Sequence, residues 1–385
     1  MRLLKKFIKK CVIKAFSFFP KKYILMESAP DYCDNTRAVY DYIVNNGLDC
    51  KYKPLWVIKD KRNIDKSIKT IVVDGSFFCL IKYCYYEARS ACIVYCNNAL
   101  PKFQENNKAL YLTHGSVAKN VAGKYCMPSN LDYSLVQSEF LQEPMKVALS
   151  LSEHTQTITL GYPRNDDLLL ENSIDRDKLF DIKFDKMIVW YPTFRQHKSG
   201  NREVSSTTIP IIENTQAAEQ INTFAKENKV LIVLKPHFAQ DTSYIKDANL
   251  SNIVIIDDGF LKKNNVRSYQ LLNLSDALLT DYSSVYYDYL LTDKPIGLTW
   301  DDYEEYGKRE GFAVDMDMVF AGGEKIYNSD EFCSFIKNVA SGNDVLREER
   351  NKVKDLTNEY QDANSSKRVA EFIIGIAERE GVSEL

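Results

Sequence analysis

Residues 277–291 read Ala277-Leu278-Leu279-Thr280-Asp281-Tyr282-Ser283-Ser284, then Val285-Tyr286-Tyr287-Asp288-Tyr289-Leu290-Leu291. A short apolar run breaks into a polar cluster, and a helix-like stretch begins directly after it. This pattern predicts a buried parallel strand whose carboxyl end feeds a helix. Three other places repeat the apolar run and its polar end. Met187-Ile188-Val189-Trp190-Tyr191 runs into Pro192-Thr193-Phe194-Arg195, and Val230-Leu231-Ile232-Val233-Leu234 into Lys235-Pro236-His237. Ala109-Leu110-Tyr111-Leu112 runs into Thr113-His114-Gly115-Ser116. Open α/β sheets bind ligands outside the carboxyl ends of their strands. Four strands ending in clusters rich in His, Lys, Arg, Ser and Thr therefore predict one polar cleft.

Working outward, further apolar runs complete two series. Tyr23–Met26, Leu55–Ile58, Ile71–Val73, Ala91–Tyr95 and Leu135–Val136 join the Ala109 run. Ile253–Ile256 and Pro295–Leu298 join the Met187, Val230 and Ala277 runs. Helical spacing separates them at Thr36–Asn46, Phe77–Ala88, Thr215–Asn228 and Val266–Leu274. Near-continuous apolar strands alternating with helices mean parallel sheets covered on both faces. The fold class is α/β, with two doubly wound Rossmann-like domains facing a central cleft. The division read from the sequence is 1–20, a basic amphipathic helix; 21–165, a first domain; 175–365, a second domain; and 366–385, a C-terminal helix.

Fifty basic and 53 acidic residues in 385 leave a net charge of −3, so no global basic field points to nucleic acid. The distribution is uneven. Arg2, Lys5, Lys6, Lys9, Lys10, Lys14, Lys21 and Lys22 all precede the first acidic residue, Glu27. The remaining 42 basic residues face 53 acidic ones, a net of −11. Leu4, Ile8, Cys11, Ala15 and Phe18 fall at helical spacing among those lysines, with Phe7, Val12 and Phe19 beside them. Lysines interrupt the apolar residues too often for a secretory signal or a membrane span. An interfacial helix that docks on an anionic membrane surface is the expectation. Nine cysteines, an odd number with no C-x-x-C pair, read as reduced thiols facing the cytosol.

The strand-end residues suit an anionic ligand. Ser283 or Ser284 is a candidate N-cap beside free N–H groups that suit phosphate. Arg195 and Lys235 are cations able to neutralise a diphosphate. His237 lies beside Lys235, and His114 is followed by Gly115, which permits close approach of backbone and ligand. His154 sits in a polar turn and is expected in solvent, and His197 in a loop of its own. No G-x-x-x-x-G-K-[ST] loop and no G-x-G-x-x-G fingerprint follows these strands, which disfavours NTP hydrolysis and dinucleotide redox chemistry. No H-E-x-x-H or other ligand cluster indicates a metal, and Asp257-Asp258 and Asp301-Asp302 read as solvated acidic pairs.

These motifs, in this order, resemble the CDP-glycerol:glycerophosphate glycerophosphotransferases of teichoic acid synthesis. The resemblance rests on Pro192–Arg195, Lys235–His237 and Thr280–Asp288, then Lys294-Pro295 and Asp301–Tyr306. It extends back through Gly161–Asp166 and Asp34-Asn35 to Glu27-Ser28. It implies a GT-B-like transferase on the cytoplasmic face of the cell membrane. Such an enzyme moves glycerol phosphate from CDP-glycerol to a lipid-linked acceptor, a polyprenyl diphosphate glycan, and releases CMP. By resemblance His114 is the general base with Gly115 beside it, and His237 contacts the diphosphate. Arg195, Lys235, Thr280, Asp281, Ser283 and Ser284 hold the donor. No cofactor is implied beyond the donor, CDP-glycerol or CDP-ribitol, and divalent-cation dependence is left open.

The chain departs from the family at Thr113, where an aromatic residue is usual, and at Ser116-Val117-Ala118, where Thr-Pro-Leu is frequent. Both departures fall on the acceptor side. Lacking a long extra N-terminal region, the chain suits a short, priming-type member. Two other readings share the sequence features: a GT-B glycosyltransferase using a nucleotide sugar, and a catalytically silent scaffold at the membrane. A panel of nucleotide donors separates the two enzymes, and failure of every cytidine nucleotide to bind by calorimetry points to the scaffold.

Overall fold

The computed structural model describes residues 2–382 except 60–64, 124–125, 194–208, 238–239, 241, 247 and 249. Arg195 and His197 lie outside the described residues. The described chain forms two compact units. One contains residues 1–116, 122–166 and 359–385, the other 117–121 and 167–358.

The first unit is built on a sheet of seven parallel strands. They are β1 (Tyr23–Glu27), β2 (Lys53–Ile58), β3 (Thr70–Val72), β4 (Ser90–Tyr95), β5 (Lys108–Tyr111), β6 (Tyr133–Val136) and β7 (Gln156–Thr159). Their order is β3-β2-β1-β4-β5-β6-β7, so the winding reverses between β1 and β4. Helices α1 (Arg2–Phe16), α2 (Asp34–Asn45) and α3 (Phe77–Ala88) belong to this unit. Its core joins Ile24, Met26, Val39, Ile43, Trp56 and Val94. The last helix, Ser365–Val382, adds Val369, Ala370, Ile373 and Ala377 to the same core.

The second unit holds six parallel strands: β8 (Lys186–Trp190), β9 (Val230–Leu234), β10 (Ile253–Ile255), β11 (Ala277–Thr280), β12 (Ile296–Thr299) and β13 (Glu324–Ile326). The order β10-β9-β8-β11-β12-β13 reverses between β8 and β11. The Ala277–Thr280 run therefore ends at the topological switch point of its sheet. In such sheets that crevice is where ligands bind.

The units differ from the sequence division at both ends and at one inner segment: 1–20 and 359–385 fall with the first unit, and 117–121 with the second. The last helix is part of the first unit's core, because its apolar face completes the layer over β1 and β4. Residues 117–121 belong to the second unit. There Ala313 N donates to Ala118 O and Asn120 N to Gly311 O, both at 2.9 Å, and Tyr287 Oη donates to Val117 O at 2.8 Å. Gly311 sits at φ 71, in the left-handed region where glycine is favoured.

Candidate active site

In the first unit the end of β5 is held on both sides of His114. Leu112 N donates to Tyr95 O at 2.8 Å, continuing the ladder one residue beyond the strand. Thr113 then turns left-handed at φ 54, and Gly115 at φ 132 makes a second turn closed to most side chains. Ser116 is buried and donates its hydroxyl to Gln137 Oε1 at 2.7 Å. Between these anchors the His114 side chain stands 65% exposed.

Its Nδ1 is nevertheless engaged. It lies in hydrogen-bond contact with Oδ2 of Asp34, the first residue of α2. The other carboxylate oxygen accepts from Arg164 Nη1 at 2.8 Å, and that nitrogen also donates to His114 O at 3.0 Å. Asn35 donates from Nδ2 to both Leu112 O and Thr113 O at 3.0 Å. The carboxyl of Asp34 feels opposing influences. Burial pushes it up, but the Arg164 guanidinium and His114 outweigh burial and hold it well below the usual carboxylate range.

The second unit shows a different chemistry at its switch point. Asp281 is fully buried, and its carboxylate accepts from Thr193 N at 2.8 Å and Thr193 Oγ1 at 2.5 Å. Thr280, also fully buried, donates its hydroxyl to Tyr191 O at 2.8 Å. These two side chains thus tie the end of β11 to the end of β8. Ser283 and Ser284 follow, both half-buried, at the start of helix Val285–Tyr289. Ser284 is a candidate cap by sequence, yet its side chain makes no capping bond. Ser283 Oγ accepts from Val285 N only at 3.5 Å, at the edge of a hydrogen bond. The two hydroxyls are not committed as caps.

Lys235 leaves the end of β9 with its side chain 22% exposed and pairs with Asp258 at 3.0 Å. Its ammonium also lies 5.9 Å from the centre of the Tyr191 ring. His237 is exposed, and its basicity is lowered by burial first, then by the charges of Lys235 and Lys119. Lys119 comes from the segment that joins this unit through Asn120 and Ala118, so three basic side chains share one electrostatic neighbourhood. Behind the serines, Tyr282 stacks on Tyr306 with ring centres 4.0 Å apart and donates to Asp302 at 2.9 Å. The acidic pairs have structural tasks as well: Asp257 caps a helix at Phe260 N, and Asp301 accepts from Ile211 N. His154 is exposed, as its polar turn predicts. Among the described residues no group of three or more His, Cys, Asp or Glu is placed to hold a metal ion.

The first unit therefore offers an oriented imidazole able to take a proton. The second offers cations and hydroxyls suited to phosphate. In the sequence, Asp34 and Arg164 stand out only as parts of longer matching stretches, and Lys119 only as a neighbour of the His-Gly pair. Their partners are 80 and 50 residues away for the Asp34–His114 and Arg164–His114 contacts, so no local pattern marks them.

Two doubly wound parallel sheets with such strand ends define a GT-B-like transferase fold. The chain belongs to the CDP-glycerol:poly(glycerophosphate) glycerophosphotransferase family, whose profile matches residues 10–375. It is 26% identical over 313 residues to the teichoic acid glycerol-phosphate primase of Bacillus subtilis (strain 168), covering 79% of this chain and 73% of that one. It is 25% identical over 342 residues to the teichoic acid poly(glycerol phosphate) polymerase of Bacillus spizizenii, covering 81% of this chain and 82% of the other. The solved structure of the wall teichoic acid polymerase TagF superimposes with a TM-score of 0.74 at 19% identity, over 97% of this chain and 94% of that one. That last likeness concerns the fold.

Proposed function

We propose that this protein transfers glycerol phosphate from CDP-glycerol to a hydroxyl of a lipid-linked acceptor in teichoic acid or related cell-surface polymer synthesis, releasing CMP. The observation that carries the reading is the family match over residues 10–375. The chemistry of each unit supports it. The acceptor oxygen attacks the phosphorus that bears glycerol, forming a new P–O bond, while the P–O bond to the CMP phosphate breaks. His114 takes the hydroxyl proton. Lys235, His237, Ser283 and Ser284 hold the diphosphate and stabilise the charge that moves onto CMP. Such transfers need little covalent help beyond charge neutralisation, positioning and a base. Thr280 and Asp281 contribute by holding the β8 and β11 ends through Tyr191 and Thr193. Arg195, outside the described residues, joins the donor cations in this proposal.

The acceptor reading includes the membrane. Among the described residues no helix is long and apolar enough to cross one. Attachment at the cytoplasmic face would be peripheral, through the basic helix α1 and the anionic lipid surface. The relatives named above act, by their names, in priming or polymerising the glycerol phosphate of teichoic acid, and this protein would add the same unit to its lipid-linked acceptor.

The deciding experiment incubates the protein with a synthetic polyprenyl diphosphate acceptor and CDP-glycerol, CDP-ribitol, a UDP-sugar or a CMP-sugar in turn. Mass spectrometry should show acceptor gaining glycerol phosphate, with CMP released in equal amount. Product length in the same spectrum separates one added unit from many. Sugar transfer in place of alditol phosphate transfer, or no turnover with any CDP-alditol, would overturn the proposal.

A further inference from the structure

Asp34 is an unusual residue for the first position of a helix. It adopts φ 59, a left-handed conformation that a non-glycine residue keeps only where its surroundings impose it. The N-cap Cys33 makes no side-chain cap bond, and Asp34 Oδ1 accepts locally from Asn35 N at 2.8 Å. Beyond that local bond, Asp34 presents its carboxylate to two basic side chains from distant parts of the same unit. Oδ2 meets Nδ1 of His114, and Oδ1 accepts from Arg164. The side chains of Asp34 and Arg164 are 6% and 7% exposed, while that of His114 is 65% exposed. Around this trio the backbone is tied down. Arg164 N donates to Asn35 Oδ1 at 3.0 Å, and Asn35 Nδ2 holds the carbonyls of Leu112 and Thr113.

We propose that Asp34, clamped by Arg164, is a positioning residue that fixes the tautomer and ring orientation of His114, leaving Nε2 as the proton acceptor. This rests on His114 being the base in the function proposed above. A nitrogen facing a buried ionised carboxylate carries the hydrogen, because two acceptors cannot bond each other. In neutral imidazole the other nitrogen then holds the lone pair. Arg164 contributes twice, by keeping the carboxylate ionised and by holding the carbonyl of the residue it serves. Its second bond, to His114 O, limits drift of the backbone that carries the ring. The amide introduced by Asp34→Asn could donate to Nδ1 and would favour the opposite tautomer, with its hydrogen on Nε2.

The test combines nitrogen NMR of histidine-labelled full-length protein with steady-state kinetics. Four histidines make assignment practical by single substitution. In the wild type, His114 should show a protonated Nδ1 and an unprotonated Nε2 at neutral pH. Asp34→Asn should reverse that pattern and lower kcat by ~10²–10⁴-fold, the range of a lost general base. KM for CDP-glycerol should stay within about twofold, since a base acting on the acceptor contributes little to donor binding. An unprotonated Nδ1 in the wild type overturns the proposal without any variant. So does Asp34→Asn that keeps near-normal kcat, or one that raises donor KM at unchanged kcat. If the Asp34→Asn variant fails to fold, Arg164→Lys with the wild-type spectrum decides: a retained Nδ1 proton supports the assignment, and its absence in both sinks it. A wild type that transfers nothing from any CDP-alditol overturns the functional reading instead, and the catalytic half of this one, while the same sample's tautomer still reports on Asp34.

Discussion

His237 shows how a single residue can report where a ligand binds. Its ring is exposed, yet burial of part of it, then Lys235 and Lys119, disfavour the protonated form and set its titration below the ordinary ~6.5 of histidine. Removing a cation relieves repulsion, so Lys235→Met should raise the His237 midpoint, and CDP bound beside it should raise it further by supplying negative charge. Proton NMR of the ring across pH 4–9, with and without CDP, measures both shifts. An unmoved midpoint on adding saturating CDP would place the diphosphate elsewhere. Because the folded protein takes up this proton less readily than the unfolded chain, acidification through ~6.5 slightly favours unfolding, an effect kept small by solvent exposure. Lys235→Met should also weaken donor binding by about one to two decades, the worth of one charge-assisted phosphate contact.

At the scale of elements, α1 divides into a side that packs on the protein and a side that faces outward. One side of the helix packs on the body: Phe16 meets Tyr85 of α3 edge to face at 4.8 Å, and Lys9 lies over the Phe103 ring. Lys21, counted with the basic tip, is buried and donates to Asn107 at 2.9 Å, so it is not a lipid contact. The outward side keeps Phe7, Cys11 and Ala15 with Lys10 and Lys14, and Phe18 just beyond the helix is 80% exposed. Phe78 at the start of α3 is 84% exposed as well. A packed helix and a lipid-facing helix are therefore compatible, each using its own side. Phe7→Glu with Phe18→Glu should leave the fold intact and abolish binding to phosphatidylglycerol vesicles. Lys10→Gln with Lys14→Gln should weaken it by roughly 30-fold, at ~1 kcal/mol per basic residue removed. Wild-type binding should also fall as salt rises. Vesicle flotation that recovers the Phe7/Phe18 variant as fully as the wild type would contradict this assignment. The strands were similarly legible in part. Central β8, β9 and β11 announce themselves because burial on both faces demands apolar runs. Edge strands β7, Gln156–Thr159, and β13, Glu324–Ile326, carry polar residues and give no such signal.

For the whole molecule, what the sequence hides is long-range membership. The strand-end clusters are legible in the sequence, since each is local. Nothing local tells that residues 117–121 join the second unit through backbone bonds to 311 and 313, or that the final helix closes the first. That closure is built from particular contacts. Ile373 is fully buried in the core with Ile24, Met26 and Val94. Tyr52 Oη donates to Ala377 O at 2.8 Å, and Arg368 Nε to Leu160 O at 2.9 Å. A Cβ at Gly161, which sits at φ 77, would lie 2.3 Å from Ser365 Oγ, so the helix start and that turn fit only with glycine. Ile373→Ala should therefore destabilise the first unit by about 2–5 kcal/mol, the usual cost of emptying such a core site. The loss belongs to one core, because Ile373 touches none of the residues that pack between β8, β9 and β11. Native-state hydrogen exchange followed strand by strand is the measurement. Protection should fall in β1, β4 and the last helix, while β8, β9 and β11 keep theirs. Equal loss of protection in both sheets would mean that the chain unfolds as one cooperative body, and that the C-terminal helix stabilises more than the core it completes.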